Sequence, residues 1–300
     1  MRTGFKTLKE YTFEEDSKPE ALIGMAIHNR DNFLWILQAI DSIVEQSYTK
    51  FVFVIIFDGP IDETLRQSLI EKIDLHSKIQ LIENENNSGL STCMNYIFDQ
   101  VFHLYPWVKY FFRMDADDIS MGDRIEKQVR FFEQHPNIDI LGTSLVEINE
   151  SGKIVGKRIM PKSHLKIVSI LPRRCPINHP TVGFRASIIR AGFRYKENYM
   201  NTQDYFFWVD LCAAGYKFAN LKEVLLQFRR VNDFYKRRGF SKSINEFSAR
   251  RYAMKRLKKL NFVNLTHALI ILFIRMLPSK IIKIMYKLDR FIIKKRSKRF

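Results

Sequence analysis

The sequence predicts an α/β fold with a mainly parallel central sheet, because three features of its pattern agree. Short apolar runs alternate along the chain with segments whose apolar residues recur at helical spacing. The run at 51–57 is β-branched and aromatic throughout, which is typical of a strand buried on both faces. Successive runs also end in polar or acidic residues. Strands that alternate with helices form parallel sheets with right-handed crossovers, so these polar residues should converge on one crevice.

The predicted elements follow one another along the chain. The strands are expected at 21–27, 51–57, 79–82, 110–112, 138–148 and, as an extended segment, 181–184. The helices are expected at 33–44, 62–73, 90–101, 123–132 and 205–213. The polar residues that follow the first four strands are His28 and Asn29, Asp58, Asn86 and Asn87, and Asp115 and Asp117.

Three carboxylates crowd together after the fourth predicted strand, at Asp115, Asp117 and Asp118. Neighbouring anions repel, and each one disfavours ionisation of the others. A divalent cation removes that cost, and carboxylate oxygens are the ligands that Mg²⁺ and Mn²⁺ prefer. The same residues could instead form an acidic loop that caps a helix beginning near Met121. Their position at the carboxyl end of a strand favours a site for Mn²⁺ or Mg²⁺.

Basic residues are distributed very unevenly along the 300-residue chain, whose net charge is +17. Residues 229–300 hold 22 Lys and Arg against three acidic residues, a net of +19, which leaves −2 for residues 1–228. A near-neutral body is therefore followed by a strongly basic tail. This asymmetry predicts an anionic surface as the partner of the tail.

Other features narrow the class of protein. Cys93, Cys175 and Cys212 are far apart and lack metal-ligand spacing, which indicates a reducing compartment without a disulfide framework. The sequence shows no secretory signal and no uncharged apolar stretch long enough to span a bilayer. It also lacks Gly-x-Gly-x-x-Gly after the first strand, which argues against a dinucleotide fold, and it has no Gly-x-x-x-x-Gly-Lys-Ser/Thr loop to cradle a phosphate. We therefore expect a cytoplasmic protein.

A series of short motifs runs from the first predicted strand to the last predicted helix. They are Met25-Ala-Ile-His-Asn29-Arg, Phe57-Asp58-Gly59, Asn87-Ser-Gly89-Leu, Arg113-Met-Asp115-Ala-Asp117-Asp118, Asp123-Arg124, Asn178-His179-Pro180-Thr181 and Gln203-Asp204-Tyr205. In this order they resemble the family 2 glycosyltransferases, over about residues 22–230. The resemblance implies an inverting enzyme with a Rossmann-like, nucleotide-binding GT-A fold. It is greatest to bacterial members that build capsule, exopolysaccharide or lipopolysaccharide chains.

The resemblance also assigns roles to individual residues. The implied nucleotide-sugar contacts are Ala26, Ile27 and Asn29 beside the base, Asp58 on a uracil-type base edge, Asn87, Asp115 on the ribose, and His179. The implied metal ligands are Asp117 and Asp118, and the implied general base is Asp204. His179 is also compatible with an ordinary core or loop histidine. The chain departs from the family at Phe57 and Gln203, where an acidic residue is common.

The implied reaction moves one sugar from a nucleoside diphosphate sugar, with UDP favoured, to a saccharide or a lipid-linked saccharide, and uses Mn²⁺ or Mg²⁺. The motif Gln227-Phe-Arg-Arg230 is similar to one in processive members, but Val231 replaces its Trp, which favours a single transfer. A nucleotidyltransferase would need a Gly-rich, basic triphosphate loop near the N-terminus, and none is visible. A non-enzymatic binding protein on a degenerate transferase fold is disfavoured because the acidic residues are intact.

We predict three regions: an N-terminal extension at 1–20, the transferase domain at 21–230 and a basic helical tail at 231–300. Within the tail, apolar residues of 281–293 recur at helical spacing with Lys and Arg between them. Amphipathic helices of this kind lie in the membrane interface. A solvated helix packed on the domain and a nucleic-acid-binding tail are the alternatives. The apolar face favours anionic lipid over nucleic acid, so we expect the protein on the inner face of the cytoplasmic membrane.

Overall fold

A mixed sheet runs through the molecule, in a computed structural model that describes residues 4–13, 18–199, 202–231 and 240–276. Within these residues the sheet has ten strands. They are Phe5–Lys9 (β1), Ala21–Ile27 (β2), Phe51–Asp58 (β3), Ile79–Asn84 (β4), Tyr110–Arg113 (β5), Ile119–Ser120 (β6), Ile140–Ile148 (β7), Ile154–Arg158 (β8), Gly183–Arg185 (β9) and Phe218–Arg229 (β10).

Helices connect and cover these strands. In the described part of the chain they are Phe33–Val44 (α1), Glu63–Asp74 (α2), Leu90–Tyr96 (α3), Phe102–Leu104 (α4), Arg124–Gln134 (α5), His164–Ile170 (α6), Ser187–Arg190 (α7), Gln203–Ala213 (α8), Phe240–Arg256 (α9) and Phe262–Met276 (α10). The helix predicted at 90–101 is α-helical only to Tyr96. It continues as a π-helical turn, Ile97–Val101, whose apolar side chains are buried.

The strand order is β1-β4-β3-β2-β5-β9-β7-β10-β6, with β8 paired to β7 outside this path. β4, β3, β2 and β5 run parallel to one another, as the alternation of strands and helices predicts. β7 and β10 form a second parallel pair, and β9 lies antiparallel between the two groups. The longest ladders are parallel and the antiparallel ones are short. The predicted α/β fold with a mainly parallel sheet is therefore confirmed.

β1 and β10 are among the strands that have no counterpart in the predicted elements. β1 pairs antiparallel with the edge of β4, so residues 5–9 of the predicted N-terminal extension join the sheet. β10 runs beside β7 with a shift in register between Leu221 and Val224. Lys222 and Glu223 lie at that shift, and both are exposed. A strand whose apolar alternation is interrupted by a bulge gives no clear period of two, which explains why the pattern did not predict it.

Two apolar layers cover the faces of the sheet, and every residue of β3 is buried. Alternate side chains of β3 enter different layers, as the pleat of a strand requires. Phe51, Phe53, Ile55 and Phe57 belong to the layer that includes α1 and α2, and Val52, Val54 and Ile56 belong to the layer that includes α3 and α8. A polar side chain is accommodated only where β3 ends, at Asp58.

The described C-terminal region consists of α9 and α10. Among the helices in the described ranges, none combines the length and the apolar character needed to cross a membrane. The amphipathic segment predicted at 281–293 lies outside the described residues.

The first prediction concerns the close packing of β9 between β5 and β7. A Cβ added at Gly183 would lie 2.4 Å from Phe112 Cε1, whereas one added at Gly122 would meet only the carbonyl oxygen of Glu45 at 4.0 Å. We expect Gly183→Ala to lower the free energy of unfolding by about 1–3 kcal/mol, because overpacking displaces buried side chains. Gly122→Ala serves as the matched control. Urea unfolding measures both, and equal midpoints would contradict the packing of this strand.

Candidate active site

The loop that follows β4 is held by the side chain of Asp58, which is 4% exposed. Asp58 Oδ1 accepts hydrogen bonds from Asn84 Nδ2 at 3.0 Å and from the backbone N of Ser88 at 2.9 Å. Its Oδ2 accepts from the backbone N of Gly89 at 2.8 Å, and Asn87 Nδ2 donates to the Asp58 carbonyl at 3.1 Å. The carboxylate therefore fixes the entry to α3. A carboxylate oxygen has two lone pairs, so Oδ2 can accept one further donor.

The end of β2 lies beside this loop. Ile27 is the register partner of Phe57, the residue before Asp58. Ile27 is buried, Ala26 is half-buried, and Asn29 is exposed in the loop that follows. The three residues predicted to border a nucleotide base therefore lie at the same edge of the sheet as Asp58.

The loop after β2 also approaches the acidic residues that follow β5. His28 Nδ1 lies 3.1 Å from Asp31 Oδ1. The hydrogen bond with Asp31 raises the pKa of His28, and the charge of Asp58 raises it further. Asp31 in turn contributes to a raised pKa at Asp117. This loop is therefore within electrostatic range of both Asp58 and Asp117.

Asp115, Asp117 and Asp118 form a carboxylate cluster directly after β5. Each contributes one carboxylate oxygen, and these oxygens lie within 4.8 Å of one another. Burial, with the charges of Asp115 and Asp31, raises the pKa of Asp117 to about 7. Burial, with the charges of Asp115 and Asp117, raises the pKa of Asp118 well above its ordinary value. Three ionised carboxylates at this spacing are unfavourable unless a cation lies among them.

The donor atoms of the carboxylate cluster fit a hard divalent cation. Asp118 is fully buried, and its Oδ1 accepts from the backbone N of Arg229 at 2.9 Å. Its Oδ2 is buried and has no hydrogen-bond partner among the described residues. A buried carboxylate oxygen without a donor is costly, and a metal ion would satisfy it. An all-oxygen set of ligands is the set that Mg²⁺ and Mn²⁺ prefer.

Arg229, the last residue of β10, holds the backbone of the cluster in place. Its Nε donates to the carbonyl oxygen of Asp117 at 3.0 Å, and its Nη2 donates to Gln38 Oε1 at 2.6 Å. Its guanidinium also lies over the ring of Trp35, 4.9 Å from the centroid. Arg229 therefore joins the end of β10, the cluster and α1 through one side chain.

Two more buried arginines lie beside the cluster. Arg113 Nη1 donates to Asp115 Oδ2 at 3.0 Å, and its Nη2 donates to Asp115 Oδ1. Burial opposes the charge of Arg113, but the neighbouring Asp115 raises the pKa of Arg113 overall. Arg124 donates to the carbonyl oxygens of Pro180 at 3.1 Å and Arg113 at 3.2 Å. Burial lowers the pKa of Arg124 to about 10, so it stays cationic at neutral pH and offsets part of the negative charge.

His179 lies in a short 3₁₀ turn, His179–Thr181, that leads into β9. Its Nε2 lies 3.0 Å from the hydroxyl oxygen of Tyr195, and its ring packs edge-on against Trp208 with centroids 6.0 Å apart. Burial, together with the charge of Arg113, lowers the pKa of His179 well below its ordinary value. The imidazole is therefore neutral at neutral pH.

Asp204 lies in the first turn of α8. Cys175 Sγ donates a weak hydrogen bond to Asp204 Oδ2 at 4.0 Å. Burial raises the pKa of Asp204, while nearby Arg113 lowers it and nearby Asp115 raises it. Because the charges of Arg113 and Asp115 act on Asp204, Asp204 lies within electrostatic range of the carboxylate cluster. A partly buried carboxylate with a raised pKa is suited to accept a proton.

Several residues that shape the site were not among the predicted ones. Arg113 lies in the motif that contains the three carboxylates, and Arg124 lies in the next motif, Asp123-Arg124. Arg113 is a charged residue directly after the apolar strand predicted at 110–112, and this signal could have identified it. Tyr195 carries no local signal. Arg229 contacts Asp118 across 111 residues of sequence, so only the folded sheet shows the contact.

Comparison with known proteins places the chain in a family. The family model described as Glycosyl transferase family 2 matches residues 22–195. The chain is 30% identical over 269 residues to the amylovoran biosynthesis glycosyltransferase AmsE of Erwinia amylovora. This alignment covers 89% of the chain and 97% of AmsE. It is 28% identical over 277 residues to an Escherichia coli protein named UDP-Gal:alpha-D-GlcNAc-diphosphoundecaprenol beta-1,3-galactosyltransferase, covering 91% of this chain and 97% of that protein.

Solved structures share the fold. S. aureus TarS in complex with UDP-GlcNAc aligns with a TM-score of 0.57 at 16% identity, covering 87% of this chain and 82% of TarS. The mannosyltransferase PcManGT from Pyrobaculum calidifontis, in complex with GDP-Man and Mn²⁺, aligns with a TM-score of 0.53 at 14% identity, covering 95% of this chain and 84% of that one. The family match covers more than half of the chain, and the resemblance seen in the motifs is confirmed. The chain belongs to glycosyl transferase family 2 and is a glycosyltransferase with the GT-A fold.

Proposed function

We propose that this glycosyltransferase moves one sugar from a nucleoside diphosphate sugar with inversion at the anomeric carbon, and that it requires Mn²⁺ or Mg²⁺. The proposal rests on the carboxylate cluster, in which the buried Asp118 Oδ2 has no donor among the described residues. The cluster lies at the carboxyl ends of parallel strands, where open α/β sheets bind ligands. Asp117 and Asp118 would hold the cation.

A UDP-sugar is the proposed donor. The Escherichia coli relative is named for UDP-Gal, and TarS was solved with UDP-GlcNAc. Asp58 Oδ2 has capacity for one more hydrogen bond, which the imide N–H of a uracil ring would provide. The other residues proposed to contact the donor are Ala26, Ile27 and Asn29 beside the base, Asn87, Asp115 at the ribose, and His179.

Asp204 is the proposed general base. It would take the proton of the acceptor hydroxyl as that oxygen attacks the anomeric carbon from the face opposite the diphosphate. Its raised pKa supports this role, because a base with a pKa closer to neutral accepts the proton more readily. A divalent cation held by the carboxylate cluster would offset the charge that develops on the departing diphosphate.

The proposed acceptor is a saccharide or a lipid-linked saccharide of a surface polysaccharide pathway. One relative is named for amylovoran biosynthesis and another for a diphosphoundecaprenol-linked acceptor. The net charge of +19 at residues 229–300 supports an anionic membrane surface as a second partner. We place the enzyme on the inner face of the cytoplasmic membrane.

Asp117→Asn tests the metal site. We expect it to abolish transfer and to weaken Mn²⁺-dependent binding of the nucleoside diphosphate. Substitution of residues that hydrogen-bond to metal ligands typically lowers metal affinity by ~10–100-fold, so loss of a ligand should lower it by at least as much. Calorimetry with UDP, with and without Mn²⁺, measures the effect. Asp74→Asn is the control, since Asp74 is 60% exposed and outside the site.

We expect Asp117→Asn to stabilise the metal-free protein, although it impairs metal-dependent binding. Removal of one charge from the carboxylate cluster relieves repulsion, so the melting temperature in EDTA should rise by roughly 2–4 °C for each kcal/mol relieved. Full activity of the parent enzyme in EDTA, or an unaffected Asp117→Asn enzyme, would refute the metal assignment.

Asp204→Asn tests the general base. We expect kcat to fall by ~10²–10⁴-fold while the affinity for UDP and Mn²⁺ stays unchanged, because the base acts on the acceptor. Single-turnover transfer and calorimetry measure the two quantities separately. If the affinity falls together with the rate, Asp204 acts on the donor side or supports the fold.

The pH profile of kcat supplies a separate test of Asp204. A base works when ionised, so the rate should rise with pH through its pKa. Burial raises that pKa, so the acidic limb should lie above about 4, the ordinary value for aspartic acid. The profile is measured at saturating Mn²⁺, which keeps the carboxylate cluster ionised. An acidic limb at or below about 4 would contradict a raised pKa at Asp204.

A further inference from the structure

The helix α10 exposes a continuous apolar face. No Asp, Glu, Lys or Arg occurs between Phe262 and Ile274. Phe262 is 82% exposed and Phe273 is 65% exposed. The other exposed apolar side chains of the helix are Val263, Leu265, Leu269 and Ile270. Single exposed apolar residues are ordinary, but a contiguous patch of this kind marks an interaction surface.

α10 is attached to the body of the protein by its opposite side. Arg173 Nε donates to Asn264 Oδ1 at 2.7 Å, and Asn264 Nδ2 donates to the carbonyl oxygen of Lys259 at 2.9 Å. Asn264 and Ala268 are both buried, one turn apart on that side. The helix is therefore seated without the use of its apolar face, which leaves this face available to a partner.

Positive charge directly precedes the apolar face along the chain. Between 247 and 260 the chain has six basic residues and no acidic one: Arg250, Arg251, Lys255, Arg256, Lys258 and Lys259. Lys255, Arg256 and Lys258 are exposed and, with Tyr252, line an open depression at the end of α9. Residues 277–300 add nine Lys and Arg against one Asp in the sequence that follows α10.

We propose that the end of α9 and the exposed face of α10 form a docking surface for an anionic lipid bilayer. The basic depression would receive lipid phosphates, and the apolar face of α10 would enter the boundary between headgroups and acyl chains. This inference extends the proposed membrane association and rests on it. A bilayer matches both halves of the surface, since it presents negative charge next to apolar chains. A nucleic acid offers phosphate without an apolar layer, and so leaves α10 exposed.

The docking surface is linked to the helix that carries Asp204. Tyr252 of α9 donates its hydroxyl to Asp210 Oδ1 of α8, and Lys196 Nζ lies 2.9 Å from Asp210 Oδ2. The ring of Tyr252 also packs on Phe206, with centroids 4.9 Å apart. A bilayer bound at α9 and α10 would therefore set the position of α8 relative to a lipid-linked acceptor in the same membrane.

The test is co-sedimentation of the full chain with vesicles of phosphatidylcholine and phosphatidylglycerol. The variant Phe262→Ser/Phe273→Ser changes only exposed side chains. Ile154→Ser/Leu165→Ser is the matched control, since these residues are 64% and 82% exposed elsewhere on the protein. Binding is measured at ~0.1 M salt, where the Debye length is ~10 Å, and at ~1 M salt, where it is ~3 Å.

We expect the α10 variant to lose the salt-resistant part of vesicle binding by about tenfold or more, since burial of apolar groups does not depend on ionic strength. The control should bind as the parent does. Parent-like binding of the α10 variant at high salt would overturn the inference. So would a parent that binds only at low salt, a result that leaves the membrane role of the basic tail intact.

Two further outcomes concern the partner of the α10 face. A parent that fails to bind anionic vesicles at either salt concentration would refute the proposed membrane association as well. A parent that is dimeric by light scattering, and becomes monomeric in the α10 variant, would show that the face joins two copies of the chain, and would overturn the docking surface. Hydrolysis of UDP-sugar in solution at the parent's rate confirms that the variants fold. A parent that does not hydrolyse UDP-sugar would contradict the catalytic proposal alone.

Discussion

Buried negative charge at the end of β5 is the constraint on which the rest of the site depends. Asp118 is fully buried next to Asp115 and Asp117, and burial of a charge is unfavourable unless opposite charges accompany it. The protein places Arg113 and Arg229 in contact with these residues. The two arginines come from β5 and β10, which belong to different parallel groups of the sheet. The cluster is therefore complete only when β9 joins those groups.

The pattern of the sequence predicts those elements whose residues share one environment. β3 is buried on both faces, so each of its side chains up to Phe57 has to be apolar, and the prediction differs from the structure only in the last residue. β10 passes from a buried face through an exposed bulge at Lys222 and Glu223 and back to the site at Arg229. Its residues face three environments in turn, so no single period describes them and the strand was missed.

The same distinction applies to the site. The carboxylate cluster is local in sequence, and repulsion among adjacent acids is visible without a structure. The hydrogen bonds that close the loop around Asp58 come from Asn84, Ser88 and Gly89, which are 26–31 residues away. Asn84 is the last residue of β4, and Ser88 and Gly89 lie in the loop that follows it, so the direction in which each donor points depends on the backbone. Sequence therefore predicted the position of Asp58, while its hydrogen-bond partners depend on tertiary structure.

One short helix connects the two ends of the site. α3 begins at the loop held by Asp58 and carries Asn95, whose Nδ2 donates to the Tyr195 carbonyl oxygen at 2.8 Å and whose Oδ1 accepts from Tyr195 N at 2.9 Å. The hydroxyl of Tyr195 lies 3.0 Å from His179 Nε2. The loop beside the proposed base-binding edge and the turn beside the cluster are thus positioned by one chain of hydrogen bonds. A satisfied network of this kind is rigid, so the loop held by Asp58 and the turn that carries His179 are fixed relative to each other.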